Sequence, residues 1–158
     1  MSDDLRSLLE SVRTILLVDW PGPEQPAALV RAGYEVYGHE PDGFRRHGVA
    51  ASADAGDPAC RSFPLEGGEH LVSWMVASHP TPELVCTYRP PEEQPEIVAT
   101  AIEAGARAFW VEEGAGGTSP DARSAAESAG LTFVDGASLG GTVTALGVRA
   151  AGGQGSIT

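Results

Sequence analysis

The residues with chemical potential cluster just after a short apolar run. In TILLVDWPGPEQPAALVRAGY (residues 14–34), the strand-like segment 14–18 ends at Asp19 and Trp20. A Pro/Gly-rich turn then leads into an apolar helical segment that stops at Gly33. A carboxylate beside an indole at a strand end could serve as a general acid or base, its proton affinity raised by apolar surroundings. It could equally satisfy backbone N–H groups at the start of the following helix. Trp20 could wall a site for an aromatic ligand or pack under the turn. His39, at the end of a second apolar segment, could shuttle a proton. Arg89, in Tyr88-Arg89-Pro90, could anchor an anion or pair with one of the many carboxylates. Glu112 and Glu113 could form an acid–base pair, although one of two consecutive strand-end carboxylates usually faces solvent. The four histidines, His39, His47, His70 and His79, have no compact metal-ligand spacing, so no metal site is expected. A phosphoacceptor role for Asp19 would need a partner lysine that the chain lacks.

These groups have to be held by alternating elements. Leu5, Leu8, Leu9 and Val12 recur at helical spacing, which predicts a leading helix over 3–12. The continuous apolar run 14–18 reads as a strand buried on both faces. A short helix is predicted over 26–32, with Pro at its first turn and Gly33 after its end. Further strands are predicted over 34–39, 84–88, 108–111 and 131–134, with helices over about 92–104 and from Ser119-Pro120-Asp121 to 129. Strands separated by helical patterns of about a dozen residues imply βαβ units. The expected fold is therefore α/β: a Rossmann-like doubly wound parallel sheet flanked by helices, in a single domain. Ligands in such sheets sit outside the carboxyl ends of the strands. The positions to watch are thus 19–22, Glu40-Pro41, 88–90, 112–114 and Asp135. Residues 44–81 form a long connection without clear periodicity, in which LVSWMV (71–76) could be a strand or a buried helix. A connection of this length is often a lid or binding loop. The domain is expected to span 1–149, with a disordered tail over 150–158.

Composition narrows the function classes. The 158-residue chain has ten arginines, no lysine and 22 acidic residues, for a net charge of −12. Nucleic acid is a poor partner for such a chain, because phosphate affinity comes from cationic side chains. Without lysine there is no Schiff base and no P-loop lysine. No apolar run reaches the ~20 residues that would span a bilayer, so no membrane partner is expected. The acidic, amphipathic N-terminus does not read as a secretory signal. Cys60 and Cys86 read as free thiols of a reducing cytoplasm.

The order of these segments resembles the small bacterial CoA-binding domain proteins, relatives of the N-terminal domain of the succinyl-CoA synthetase alpha chain. The similarity covers nearly the whole chain. It rests on the leading helix followed by SVRTILLV, on Pro23-Glu24-Gln25-Pro26-Ala27, on VCTYRPPEEQPEIVATAIEAGARAFWVEEG and on AAESAGLTFVDG. The resemblance implies that CoA or an acyl-CoA lies across the carboxyl ends of the strands. It assigns ligand contacts to Trp20, Pro21, Gly22 and Gln25 after the first strand and to Glu40 and Pro41 after the second. Tyr88, Arg89 and Pro90 follow, and Gly114 beside Glu113.

The chain departs from the family at the positions that touch phosphate. Asp19 stands where the loop's first glycine is expected, Trp20 and Pro21 replace small residues, and Gln25 replaces an arginine. A proline removes an N–H donor. An aspartate ~4 Å from a phosphate opposes binding by a few kcal/mol at an effective dielectric near 20. Three readings follow. The chain is a small-molecule-binding module for CoA, an acyl-CoA or a related adenine nucleotide. Alternatively it is an enzyme on the same scaffold, with Asp19, His39 and Glu113 as acid–base groups on a small non-CoA substrate. In the third reading it is a ligand-free interaction protein with a closed pocket, whose Trp74 region forms a homodimer contact.

Overall fold

The computed structural model describes residues 2–41, 43–51 and 60–152. Asp42, which sequence places in a turn, and most of the expected tail (153–158) lie outside the described residues. Helix α1 (Ser2–Ser11) leads into β1 (Thr14–Val18), α2 (Glu24–Arg31) and β2 (Glu35–Glu40). Three strands follow: β3 (Gly43–Ala50), β4 (Arg61–Pro64) and β5 (His70–Val76). The chain continues through β6 (Leu84–Thr87), a 3-10 turn, α3 (Gln94–Glu103), β7 (Ala108–Glu112), α4 (Pro120–Ser128), β8 (Thr132–Ala137) and α5 (Leu139–Leu146).

All eight strands form one sheet in the order β4-β5-β3-β2-β1-β6-β7-β8. From β2 to β8 the pairings are parallel, the doubly wound core that the βαβ pattern implies. The long connection is a finding of its own. Instead of irregular chain, β3, β5 and β4 extend the sheet antiparallel beyond β2. LVSWMV is a strand.

Side-chain alternation divides the core. Ile15 and Leu17 of β1 face α1, α2 and α5, with Leu29, Val36, Trp110 and Leu139. Leu16 faces α3 and α4 with Val85, Val98, Phe109 and Val111. Each fully buried side chain of this kind contributes about 1.5–3 kcal/mol, which is why the two-sided apolar strands fix the sheet's centre. The order extends past residue 149: Ala150 is buried, and the backbone N–H groups of Ala150 and Ala151 donate to Ala32 and Val12. The expected start of the tail at 150 is therefore too early.

The crossover from β5 back to β6 shapes the site. β5 runs parallel to β6, so the chain must return along the length of the sheet between them. It does so over residues 77–83 without a helix. Pro80 and Pro82 favour extended backbone in the residues before them. A thin strip thus takes the place of a covering helix, and a trench remains between it and α3.

Candidate functional site

Asp19 leaves β1 with φ 71°, the non-glycine residue of the described chain in the left-handed region. Glycine enters that region without steric cost, whereas aspartate needs its short side chain to hydrogen-bond locally. Here Asp19 Oδ1 accepts from the Trp20 N–H at 2.9 Å. Its Oδ2 accepts from Arg89 Nη1 at 3.0 Å. Arg89 in turn donates from Nε and Nη2 to both oxygens of Glu93, at 2.9 and 2.8 Å. The loops after β1 and β6 are clasped by one arginine held between two carboxylates. Glu93 and Asp19 push the Arg89 guanidinium further from deprotonation, and Arg89 holds the Glu93 carboxyl below its usual range. All three side chains are largely exposed, so the clasp adds little stability.

Trp20 does not project freely. Its ring stands edge-on to Phe63 and His47, with centroids 5.6 and 5.8 Å away. It ties the loop after β1 to the antiparallel extension. At the end of β2, His39 packs on Phe44, and Phe44 packs on His79. Glu40 is taken by Arg45 at 3.2 Å and Arg61 at 2.7 Å.

A groove of about 1120 Å³ opens between these groups. Asp19, Trp20, His39, Glu40, Pro41 and Arg89 line its polar end at the carboxyl ends of β1, β2 and β6. Val18, Phe44, Pro80, Pro82 and Ile97 line the trench beside the 77–83 strip. Five lining carboxylates, Asp19, Glu40, Glu93, Glu96 and Glu103, stand against one lining arginine, Arg89. The groove is open to solvent rather than closed.

Other expected site residues lie outside this lining. Pro21 is exposed, and a side chain at Gly22 would meet nothing within 4 Å. Tyr88 packs near Gly114, joining the loops after β6 and β7 away from the groove, and Pro90 caps the 3-10 turn. Glu113 is exposed in the turn after β7, with its backbone N–H bound to Ala137, while Glu112, the last residue of β7, is buried. The geometry therefore separates Glu113 from Asp19 and His39.

Gln25 and Glu112 build a buried polar knot under α5 instead. Glu112 Oε1 accepts from Gln25 Nε2 at 2.6 Å, from the Leu139 N–H at 2.9 Å and from Cys86 Sγ at 3.8 Å. Gln25 Oε1 accepts from the Gly140 N–H at 3.0 Å. Burial raises the Glu112 carboxyl against these hydrogen bonds, and burial followed by Glu112 raises the Cys86 thiol well above its ordinary value. This knot anchors the start of a helix; it does not open on the groove. Asp135 is likewise committed, to Thr118 and Arg123, which hold its carboxyl low. Among the described residues, no three His, Cys, Asp or Glu side chains gather as a metal site. No helix there is long and apolar enough to cross a membrane.

Sequence reasoning missed His47 and Glu93, both of which line the groove. Glu93 sits four residues beyond Arg89, a spacing that could have suggested the pair. His47 gave no such signal.

Comparison with known proteins decides the family. The profile of the CoA binding domain matches residues 18–142, the stretch from the end of β1 into α5. The chain belongs to the CoA-binding domain family. Solved structures share the fold of this CoA-binding domain. A Thermus thermophilus protein described as cell-free ID.343 superposes with a TM-score of 0.60 at 16% identity, covering 92% of this chain and 98% of that one. A hypothetical protein from Pyrococcus horikoshii OT3 gives a TM-score of 0.60 at 21% identity, covering 92% of each chain. No curated protein matches.

Proposed function

We propose that this CoA-binding domain holds CoA, an acyl-CoA or a related adenine nucleotide in the groove at the carboxyl ends of β1, β2 and β6. The observation that carries the reading is the groove's place. It opens where doubly wound sheets bind ligands, and its volume suits a nucleotide-sized molecule. The trench beside the 77–83 strip offers apolar wall for a pantetheine or acyl arm. A phosphate reaching Arg89 would displace the Asp19 carboxylate, so ligand binding and the Asp19–Arg89 pair compete. Two free thiols, Cys60 and Cys86, suit a reducing cytoplasm.

One observation favours a second reading. Arg89, the lining cation, is already neutralised by Asp19 and Glu93. A small, less anionic substrate would fit that electrostatic setting, with Asp19 and His39 as its acid–base groups.

Thermal shift with CoA, acetyl-CoA, ADP and NAD tests the first reading. Ligand at about 100 times its Kd adds roughly 2.7 kcal/mol, several degrees for a domain of this size. No shift with any of them at millimolar concentration rejects nucleotide binding and leaves the second reading.

A further inference from the structure

His47 is a buried polar group without a hydrogen-bond partner among the described residues. It lies two residues beyond Arg45, the register partner of Gly38 in β2, and so on the same face of β3 as Arg45. It is 5% exposed, lines the groove, and neither Nδ1 nor Nε2 has a hydrogen-bond partner among the described residues. Gly38 makes room for it: a Cβ there would stand 2.8 Å from His47 Nε2. Trp20 stands edge-on to the ring and limits its movement from the other side.

Buried polar atoms are normally satisfied, and leaving one unmade carries its full desolvation cost. A neutral imidazole offers one donor and one acceptor. Burial, reinforced by Arg45, keeps the ring neutral by lowering its pKa to about 4. A neutral ring gives a phosphate no charge to pair with. The acidic groove selects in the same direction, against a second anionic group at this depth.

We propose that His47, seated over Gly38 and walled by Trp20, is a recognition subsite for an uncharged hydrogen-bonding group of the groove's ligand, an alcohol or an amide. The proposal rests on the reading of the groove as a ligand site. In a CoA-class ligand that chemistry is present both in the pantetheine arm and in the adenosine ribose.

The test uses protein carrying isotope-labelled histidine, with the His47 ring signals assigned by comparison with His47→Gln. Pantetheine, adenosine, CoA, ADP and inorganic phosphate are titrated in separate arms, alongside calorimetry. The expected result is that pantetheine or adenosine, and CoA, move the His47 ring nitrogens while inorganic phosphate does not. His47→Leu should weaken the effective probe about tenfold, with partial recovery in His47→Gln. Whichever of pantetheine and adenosine acts identifies the source of the group. If CoA binds by calorimetry while the His47 signals stay fixed, the subsite is overturned and the groove's function stands. If a neutral probe moves His47 while neither CoA nor ADP binds, the nucleotide reading fails and the subsite stands. A response to inorganic phosphate alone, or to no probe, overturns the subsite. The wild-type titration decides this even if His47→Leu does not fold.

Discussion

Asp19 occupies a backbone conformation suited to glycine and spends both carboxylate oxygens, on the Trp20 N–H and on Arg89. Replacing it by glycine would relieve the positive φ, whose cost for a non-glycine residue is of order 1 kcal/mol. The same change would remove one anionic group from the groove and release one side of Arg89. Asp19→Gly should therefore keep stability within about 1 kcal/mol and tighten CoA binding severalfold, read by calorimetry. An unchanged or weaker affinity would show that Asp19 does not oppose the ligand's phosphates.

At the scale of elements, the start of α5 is where packing overrides propensity. Alanine normally gains about 1 kcal/mol over glycine inside a helix. At Gly140, however, a Cβ would collide with the Gln25 side chain and approach the Gln25 backbone carbonyl to 3.2 Å. At Gly141 the close neighbour is only the Ser138 side chain. Gly140→Ala should cost about 1–3 kcal/mol by overpacking, and Gly141→Ala clearly less. Urea denaturation of the two variants compares them directly, and equal midpoints would refute the Gln25 contact. The same helix shows where the sequence becomes opaque. Gly140 and Gly141 hide α5 from any propensity reading, although Ser138 caps it through the Gly141 N–H. By contrast β1, β6, β7 and α4 are legible, because apolar runs and the Ser119-Pro120 cap state their geometry locally. The antiparallel extension is not. Arg45 and His47 occupy the inward positions of β3, so the alternation that announces a half-buried strand is absent. For the site, Asp19, Trp20, Glu40 and Arg89 could be located because they follow strands. His47 could not, since its role depends on the pairing of β3 with β2.

Across the whole molecule, the buried neutral His47 couples folding to pH. Its folded pKa of about 4 lies below the ordinary value of 6.5. The unfolded chain therefore takes up the proton first as pH falls. The contribution is complete above about pH 6.5 and is lost progressively toward pH 4, to a total of roughly 3 kcal/mol. Glu112, raised by burial, acts with the opposite sign, since its protonation favours the folded state. Comparing wild type with His47→Leu isolates the histidine: the variant should lose less stability between pH 6.5 and 5. Parallel stability curves over that range would mean that His47 is not held neutral.

A CoA-class or adenine-nucleotide ligand is proposed to lie across the carboxyl ends of β1, β2 and β6. The most direct measurement is a backbone amide NMR titration of the full chain with CoA. Saturable shifts are expected at Asp19, Trp20, His39, Glu40 and Arg89, continuing into the 77–83 strip. No saturable shift at millimolar CoA, or shifts confined to the α5 knot around Gln25 and Glu112, would contradict it.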